Sequence, residues 1–263
     1  MLRPRIIPCL LVHDQGLVKT VKFQEGKYVG DPLNAVKIFN EKEVDELIVL
    51  DIDATVKGAV PNERLIGQLA VECRMPLSYG GGITSVEQAR RIIGLGVEKV
   101  ALSAAALADP SLVSRIADEV GSQSVVVVLD VKKQPFGGYQ VFTHNGTRAT
   151  KQHPVEAARQ AQARGAGEIV VNAIDRDGAM KGYDLELAAQ VRAAVSVPLT
   201  VLGGAGSQDD LAELFAACGV VGAAAGSLFV FKGPFRAVLI NYPTQAQRDQ
   251  LVAAALSRRP TRG

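Results

Sequence analysis

The sequence predicts a single α/β domain, a (β/α)8 (TIM) barrel with an internal half-barrel duplication. Three observations carry this. Short continuous apolar runs alternate with helical patterns eight times, as in a parallel sheet covered by helices. An apolar run that stops at glycines and leads into a helix pattern occurs twice, as Pro76-Leu77-Ser78-Tyr79-Gly80-Gly81-Gly82-Ile83 and Pro198-Leu199-Thr200-Val201-Leu202-Gly203-Gly204-Ala205. The two copies lie 122 residues apart, far too long a period for a solenoid. No linker-like stretch divides the 263 residues, a length common for one such barrel.

The same spacing pairs further segments. Asp45-Glu46-Leu47-Ile48-Val49 matches Gly167-Glu168-Ile169-Val170-Val171, Asp53 matches Asp175, and Ser85 matches Ser207. Val100-Ala101-Leu102-Ser103-Ala104-Ala105 matches Gly222-Ala223-Ala224-Ala225-Gly226-Ser227.

In chain order, Ile6 to Val12 reads as a buried strand and His13 to Gly16 as a turn. Val18 to Phe23 alternates like a hairpin strand. Asp31-Pro32 opens a helix to about Lys42, aspartate as cap and proline at the first position. Leu47 to Ile52 is a strand and Asn62 to Cys73 a helix. After the first glycine stretch, Ser85 to Leu95 is helical, Val100 to Ser103 a strand and Pro110 to Val120 a helix. Ser124 to Leu129 is a strand ending on Asp130, and Gly137 to Thr143 a hairpin insertion. Pro154 to Arg164, Asp184 to Ala194 and Asp209 to Ala217 are helical. Ile169 to Asn172, Leu199 to Val201 and Val220 to Ala224 complete the strands. The barrel is expected over residues 1–243, followed by a polar helix and basic tail over 244–263.

Composition narrows the function. A formal net charge of +2 favours neither nucleic acid nor an acidic membrane as main partner. No apolar run reaches membrane-spanning length, and the start is too short for a signal sequence. Cys9, Cys73 and Cys218 are widely spaced in or beside apolar runs. They show no disulfide framework or metal-ligand spacing, so a cytoplasmic protein without metal or cofactor is expected, with Cys9 buried and inert.

Barrel chemistry sits at the C-terminal strand ends. Those positions hold Leu11, Asp51, Gly81, Gly82, Ser103, Asp130, Asp175 to Gly178, Gly203, Gly204, Gly226 and Ser227. Glycine clusters before helix starts suit a phosphate, because bare backbone and free N–H groups meet the anion. Two of them, about four strands apart, imply a long substrate with a phosphate-like anion at each end. Asp130, after five apolar residues, reads as a general acid–base with a raised pKa or as a capping aspartate. Lys19 is either an anion-closing group or a solvated charge. At the opposite barrel end, Arg5, Glu46, Lys99 and Glu168 precede strands and read as a salt-bridge plug.

Several stretches together carry a specific resemblance. They are Arg5-Ile6-Ile7-Pro8-Cys9-Leu10, Gly30-Asp31-Pro32, Phe142-Thr143-His144, Asp175-Arg176-Asp177-Gly178, Gly182-Tyr183-Asp184 and Gly203-Gly204-Ala205-Gly206. Nearly end to end the chain resembles the cyclase subunit of imidazole glycerol phosphate synthase. The resemblance implies a heterodimer with a glutamine amidotransferase subunit docked on the N-terminal face of the barrel. It implies that ammonia crosses the barrel to a phosphorylated small-molecule substrate, with Arg5, Glu46, Lys99 and Glu168 as a gate rather than a plug. It implies catalytic roles for Asp130 and Lys19. Phosphate binding would fall to Gly81, Gly82 and Ser103 on one side, and to Asp177, Gly178, Gly203, Gly204, Gly226 and Ser227 on the other.

Two departures qualify it. The family has a catalytic aspartate where this chain has Leu11, and Asn-Thr where it has Ser103-Ala104. With Gly16 to Phe23, Leu50 to Thr55 and Gly226 to Gly233, the pattern resembles a paralogous branch associated with surface polysaccharide. There, the resemblance implies, the cyclase-like and amidotransferase-like subunits supply ammonia that converts an acetamido sugar into an acetamidino sugar, with a third protein acting on the sugar. A histidine-biosynthesis cyclase and a non-catalytic ammonia-conducting scaffold stay open as alternatives.

Overall fold

A computed structural model describes residues 3–258. Its centre is a ring of eight parallel strands: β1 (Arg5–His13), β2 (Leu47–Asp51), β3 (Leu77–Gly80), β4 (Lys99–Leu102), β5 (Val125–Lys133), β6 (Glu168–Ala173), β7 (Leu199–Leu202) and β8 (Gly222–Ala225). Each pairs with the next. The pairing Arg5↔Gly222 through Pro8↔Ala225 joins β8 to β1, so the barrel is closed and has no open edge.

Strand alternation sorts the side chains into two cores. Ile7, Cys9 and Leu11 point inward with Ile48, Ala101, Val126, Val128, Val170, Leu202 and Ala224. Ile6, Leu10 and Val12 point outward, among residues that meet the surrounding helices. The helices begin where cap residues stand. Asp31, Asn62 and Asp184 each accept a backbone N–H in the first turn. Ser85 and Ser207, one repeat apart, form capping boxes with Gln88 and Asp210.

Some elements differ from expectation. Val18 to Phe23 is not one strand. The strand Gly16–Lys19 pairs with Lys27–Gly30, and the chain then turns, with Lys22 and Phe23 at φ +53° and +61°. Left-handed backbone cannot continue a strand. The Lys22 N–H donates instead to the Asp177 carbonyl at 2.9 Å. Nor does β5 end on Asp130: it runs on to Lys133 and pairs with Tyr139–Thr143, which is the expected hairpin. Short helices Ala54–Lys57, Ala104–Ala108 and Ser227–Val230 follow β2, β4 and β8 without a sequence expectation.

The last helix, Gln245–Ser257, buries Arg248 and Ala255. Of the basic tail, residues 259–263 lie outside the described residues. Among the described residues no helix is long and apolar enough to cross a membrane.

Candidate active site

A cavity of about 860 Å³ opens at the C-terminal strand ends. Its wall includes Leu11, Lys19, Asp51, Gly81, Gly82, Ser103, Asp130 and Asp177, which the sequence placed at the mouth or on its hairpin. Asn172, His144 and Asn145 also line it.

Asp130 sits opposite Asn172 in the β5–β6 register, and the Asn172 amide donates to its Oδ1 at 2.9 Å. Burial lifts its carboxyl to about 6; the Asn172 bond opposes this and the Asp177 charge adds to it. At that value the group exchanges protons near neutral pH, as a general acid–base requires.

Lys19 is not a solvated charge. It is 5% exposed, with Nζ 3.9 Å from Asp177 Oδ1. Asp177 Oδ2 accepts from the Thr20 hydroxyl at 2.9 Å. The Lys19 stem packs on Gly226, where a Cβ would lie 2.7 Å from Lys19 Cε.

The two glycine regions differ in access. Gly81, Gly82 and Ser103 line the cavity, whereas Gly178, Gly203, Gly204, Gly226 and Ser227 do not. The turn after Lys19 covers the second region. A side chain on Gly178 would meet Thr20 and Val21, and Arg236 donates to the Gly178 carbonyl at 3.2 Å. The Ser227 Oγ is buried there without a hydrogen-bond partner.

The need for glycine also has a local cause. Gly81 and Gly203 have φ +124° and +94°. A Cβ on Gly81 would meet Asp51, and one on Gly203 would lie 2.7 Å from the Ala173 carbonyl oxygen. Asp51 and Ala173 are themselves repeat mates, so both turns pack against the preceding strand end in the same way.

At the other barrel end, Arg5, Glu46, Lys99 and Glu168 form a closed ring. Arg5 donates to Glu46, and to Glu168 at 2.7 Å; Lys99 donates to Glu46 at 2.6 Å and Glu168 at 2.8 Å. Thr200 donates to Glu168 at 2.6 Å and Ser78 to Glu46 at 3.3 Å. Burial alone would raise the Glu168 carboxyl, but Arg5 and Lys99 outweigh it and hold the group at about 2. Burial works against the charges of Arg5 and Lys99 too, and the two glutamates reverse that, raising both.

Above the ring lies a small cavity of about 10 Å³, lined by Glu46, Ser78 and Glu168 below and by Leu50, Ala101, Val128 and Leu202 above. The last four also line the mouth cavity. A void of this size is near the least that holds one water-sized molecule.

Other groups resolve more simply. Burial pushes the Cys9 thiol up to about 12, so it is inert near neutral pH. His13, Asp14 and Asp53 cluster at the rim, but Lys57 reaches Asp14 at 2.6 Å and Asp53 at 3.0 Å, where a cation would sit.

The sequence assigned no site role to Asn172, Ser78, Thr200 and Asn145. The first three were readable as polar positions in apolar runs. Asn145, whose amide reaches the Ile52 carbonyl at 2.8 Å across the rim, left no such signal.

The profile of the family described as histidine biosynthesis protein matches residues 5–236. A protein of Vibrio vulnificus (strain YJ016), provisionally named imidazole glycerol phosphate synthase subunit hisF3, is 59% identical over 251 residues, 95% of this chain and 96% of its own. Subunit hisF2 of Pseudomonas aeruginosa, also provisionally named, is 57% identical over 249 residues, 95% and 99% of the two chains. Imidazole glycerol phosphate synthase subunit HisF of Hyphomonas neptunium is 42% identical over 231 residues, 88% and 91% of the two.

Proposed function

The chain belongs to the histidine biosynthesis protein family, and we propose that it is a cyclase-like enzyme subunit that receives ammonia from a glutamine amidotransferase and uses it at the barrel mouth. The partner docks on the N-terminal face, and the two form a heterodimer in the cytoplasm. The ring of Arg5, Glu46, Lys99 and Glu168 is the gate. Ammonia passes it, enters the small cavity above and emerges beside Asp130, which exchanges the proton. Lys19 steadies a developing or bound negative charge. One phosphate-like group sits at Gly81, Gly82 and Ser103. The other sits at Asp177, Gly178, Gly203, Gly204, Gly226 and Ser227 once the turn after Lys19 moves. The partnerless Ser227 hydroxyl supports a ligand there, since a buried hydroxyl normally finds a partner.

The acceptor we favour is an acetamido sugar, turned into an acetamidino sugar for surface polysaccharide as the ammonia nitrogen bonds to the acetamido carbon and the carbonyl oxygen leaves as water. The observation that carries this is Leu11, buried in the mouth wall. Leucine exchanges no proton, so a cyclisation that needs two carboxylates keeps one. A general acid–base group contributes about 10²–10⁴-fold to rate. The Vibrio vulnificus and Pseudomonas aeruginosa relatives carry the numerals 3 and 2 in their names, which fits a paralogue.

The histidine-pathway reaction, giving imidazole glycerol phosphate and aminoimidazole carboxamide ribotide, is the second reading. The HisF of Hyphomonas neptunium favours it by name. Complementation of a strain lacking the histidine cyclase separates them. No rescue by the native chain is expected, with rescue by Leu11→Asp marking a repurposed site. Rescue by the native chain overturns the sugar reading. A pure conducting scaffold is excluded if Asp130→Asn folds and binds the partner yet forms no amidino sugar.

A further inference from the structure

The repeat reaches further into the mouth than glycines and caps. The Ile52 N–H donates to the Val12 carbonyl at 3.1 Å, and the Ile174 N–H donates to the Val131 carbonyl at 2.9 Å. The Asp14 N–H donates to Asp53 and the Lys133 N–H to Asp175, both at 2.9 Å. These bonds superpose β1–β2 on β5–β6, and Leu11 falls on Asp130. In register, Leu11 faces Leu50 as Asp130 faces Asn172. The two pairs are therefore repeat mates on opposite sides of one barrel layer. One pair is polar and hydrogen-bonded; the other is purely apolar. All four residues line the same cavity. Cys9 and Val18 extend the apolar side; they too line the cavity and are buried.

We propose that Leu11 and Leu50 form an alkyl subsite of the mouth, which seats the methyl group of an acetyl or acetamido ligand while its polar centre meets Asp130 and Asn172. A phosphate or hydroxyl set against the Leu11 and Leu50 side chains would lose water and gain no partner from either. A methyl loses nothing. Across the ring, the Asn172 amide and the Asp130 carboxyl supply a donor and an acceptor for a carbonyl or amide. An eight-stranded barrel leaves a narrow interior, so opposite sides of one layer can touch opposite ends of a group held between them. The ligand is thus asymmetric, although the scaffold that holds it is nearly two-fold. This deepens the acetamido reading above and rests on it for the ligand class and for Asp130 as the reacting side.

The test uses the whole chain, with ¹³C-methyl leucine and ¹³C-carboxyl aspartate labels read by NMR. Acetamide is titrated against formamide, which lacks the methyl. In the native chain acetamide is expected to shift the Leu11 and Leu50 methyls and the Asp130 carboxyl together and saturably. Formamide should bind about fourfold more weakly, the worth of one buried methyl-sized group. Leu11→Asp should erase the preference, and Leu11→Ala, which adds no charge, should reduce it. Equal affinity for the two amides overturns the proposal, as do unmoved Leu11 and Leu50 methyls or a preference that survives in both variants. Neither turnover nor the partner enters. A silent subsite therefore overturns this inference alone, while failed ammonia delivery with the subsite intact overturns the function proposed above.

Discussion

Lys99→Met tests the ring at the barrel bottom. In the native ring two buried carboxylates share two cations: Lys99 contacts Glu46 at 2.6 Å and Glu168 at 2.8 Å, and Arg5 contacts both. Methionine keeps the stem packing and removes the charge. Glu168 then keeps Arg5 and Thr200, Glu46 keeps Arg5 and Ser78, and the ring carries an unbalanced negative charge. Breaking a buried pair costs about 3–5 kcal/mol; with Arg5 still in place we expect the low end, about 3 kcal/mol. A chain of this size loses about 2–4 °C in Tm per kcal/mol, so Tm at pH 7 should fall by about 6–12 °C. The effect must depend on pH. Glu168 is held at about 2, below its ordinary 4.5, so it contributes stability above about 4.5 that is lost as pH falls towards 2. That depression is worth about 3 kcal/mol, the same size as the loss expected from the variant. Calorimetry of native and variant chains from pH 7 to pH 3 should show the Tm gap shrinking to less than half. A gap that stays constant over that range would place its origin outside these carboxylates and refute the argument.

Three further outcomes follow from local geometry. Leu11→Asp puts a second carboxylate in the layer of Asp130, and like charge raises a carboxyl pKa; ¹³C titration should move the Asp130 midpoint above about 6, and an unmoved midpoint would separate the two sites. Gly178→Ala combines φ +65° with a clash against the Thr20 carbonyl, so it should lose more than about 2 kcal/mol and expose residues 20–26 to protease. Gly94→Ala, in an exposed helix position with open space around it, should instead gain about 0.5–1 kcal/mol, so equal effects of the two changes would falsify the packing argument. Ser85→Ala and Ser207→Ala each remove a capping-box hydroxyl and should each cost about 1 kcal/mol, seen as matching Tm losses.

The closed barrel was legible because its signals are local. Apolar runs, caps at Asp31, Asn62 and Ser85, and the glycine stops each decide a few neighbouring residues. The mouth was less legible because tertiary contacts build it. Nothing around Lys22 and Phe23 signals left-handed backbone; that turn exists because Asp177, on the far side of the sequence, accepts the Lys22 N–H. Asp130 looked like a strand end because Val131 to Lys133 is short and partly charged. Only its pairing with Tyr139–Thr143 makes it a strand continuing into the rim. Solvation of Lys19 stayed an open reading since no local pattern reports burial of a single lysine. The Asp177 carboxylate that neutralises it comes from the turn after β6.

The duplication separates what the fold needs from what the site needs. Residues that keep their repeat mates serve the scaffold, whatever ligand they also meet: Gly81 and Gly203 at the turns, Ser85 and Ser207 at the caps, Ser78 and Thr200 beside Glu46 and Glu168. Where the mates differ, the barrel closes equally well with either choice, so folding does not dictate the difference. The ring keeps both glutamates as mates, but its cations are unmatched: Lys99 has Val221 one repeat on. At the mouth, Asp130 and Asn172 stand opposite Leu11 and Leu50. Two apolar residues there would bury more surface and avoid lifting a carboxyl to about 6, so stability alone would favour leucine in both halves. The half that keeps a buried carboxyl lifted to about 6 is therefore the half to which we assign the proton chemistry. The leucine pair of the other half is the one to which we assign recognition of a methyl group.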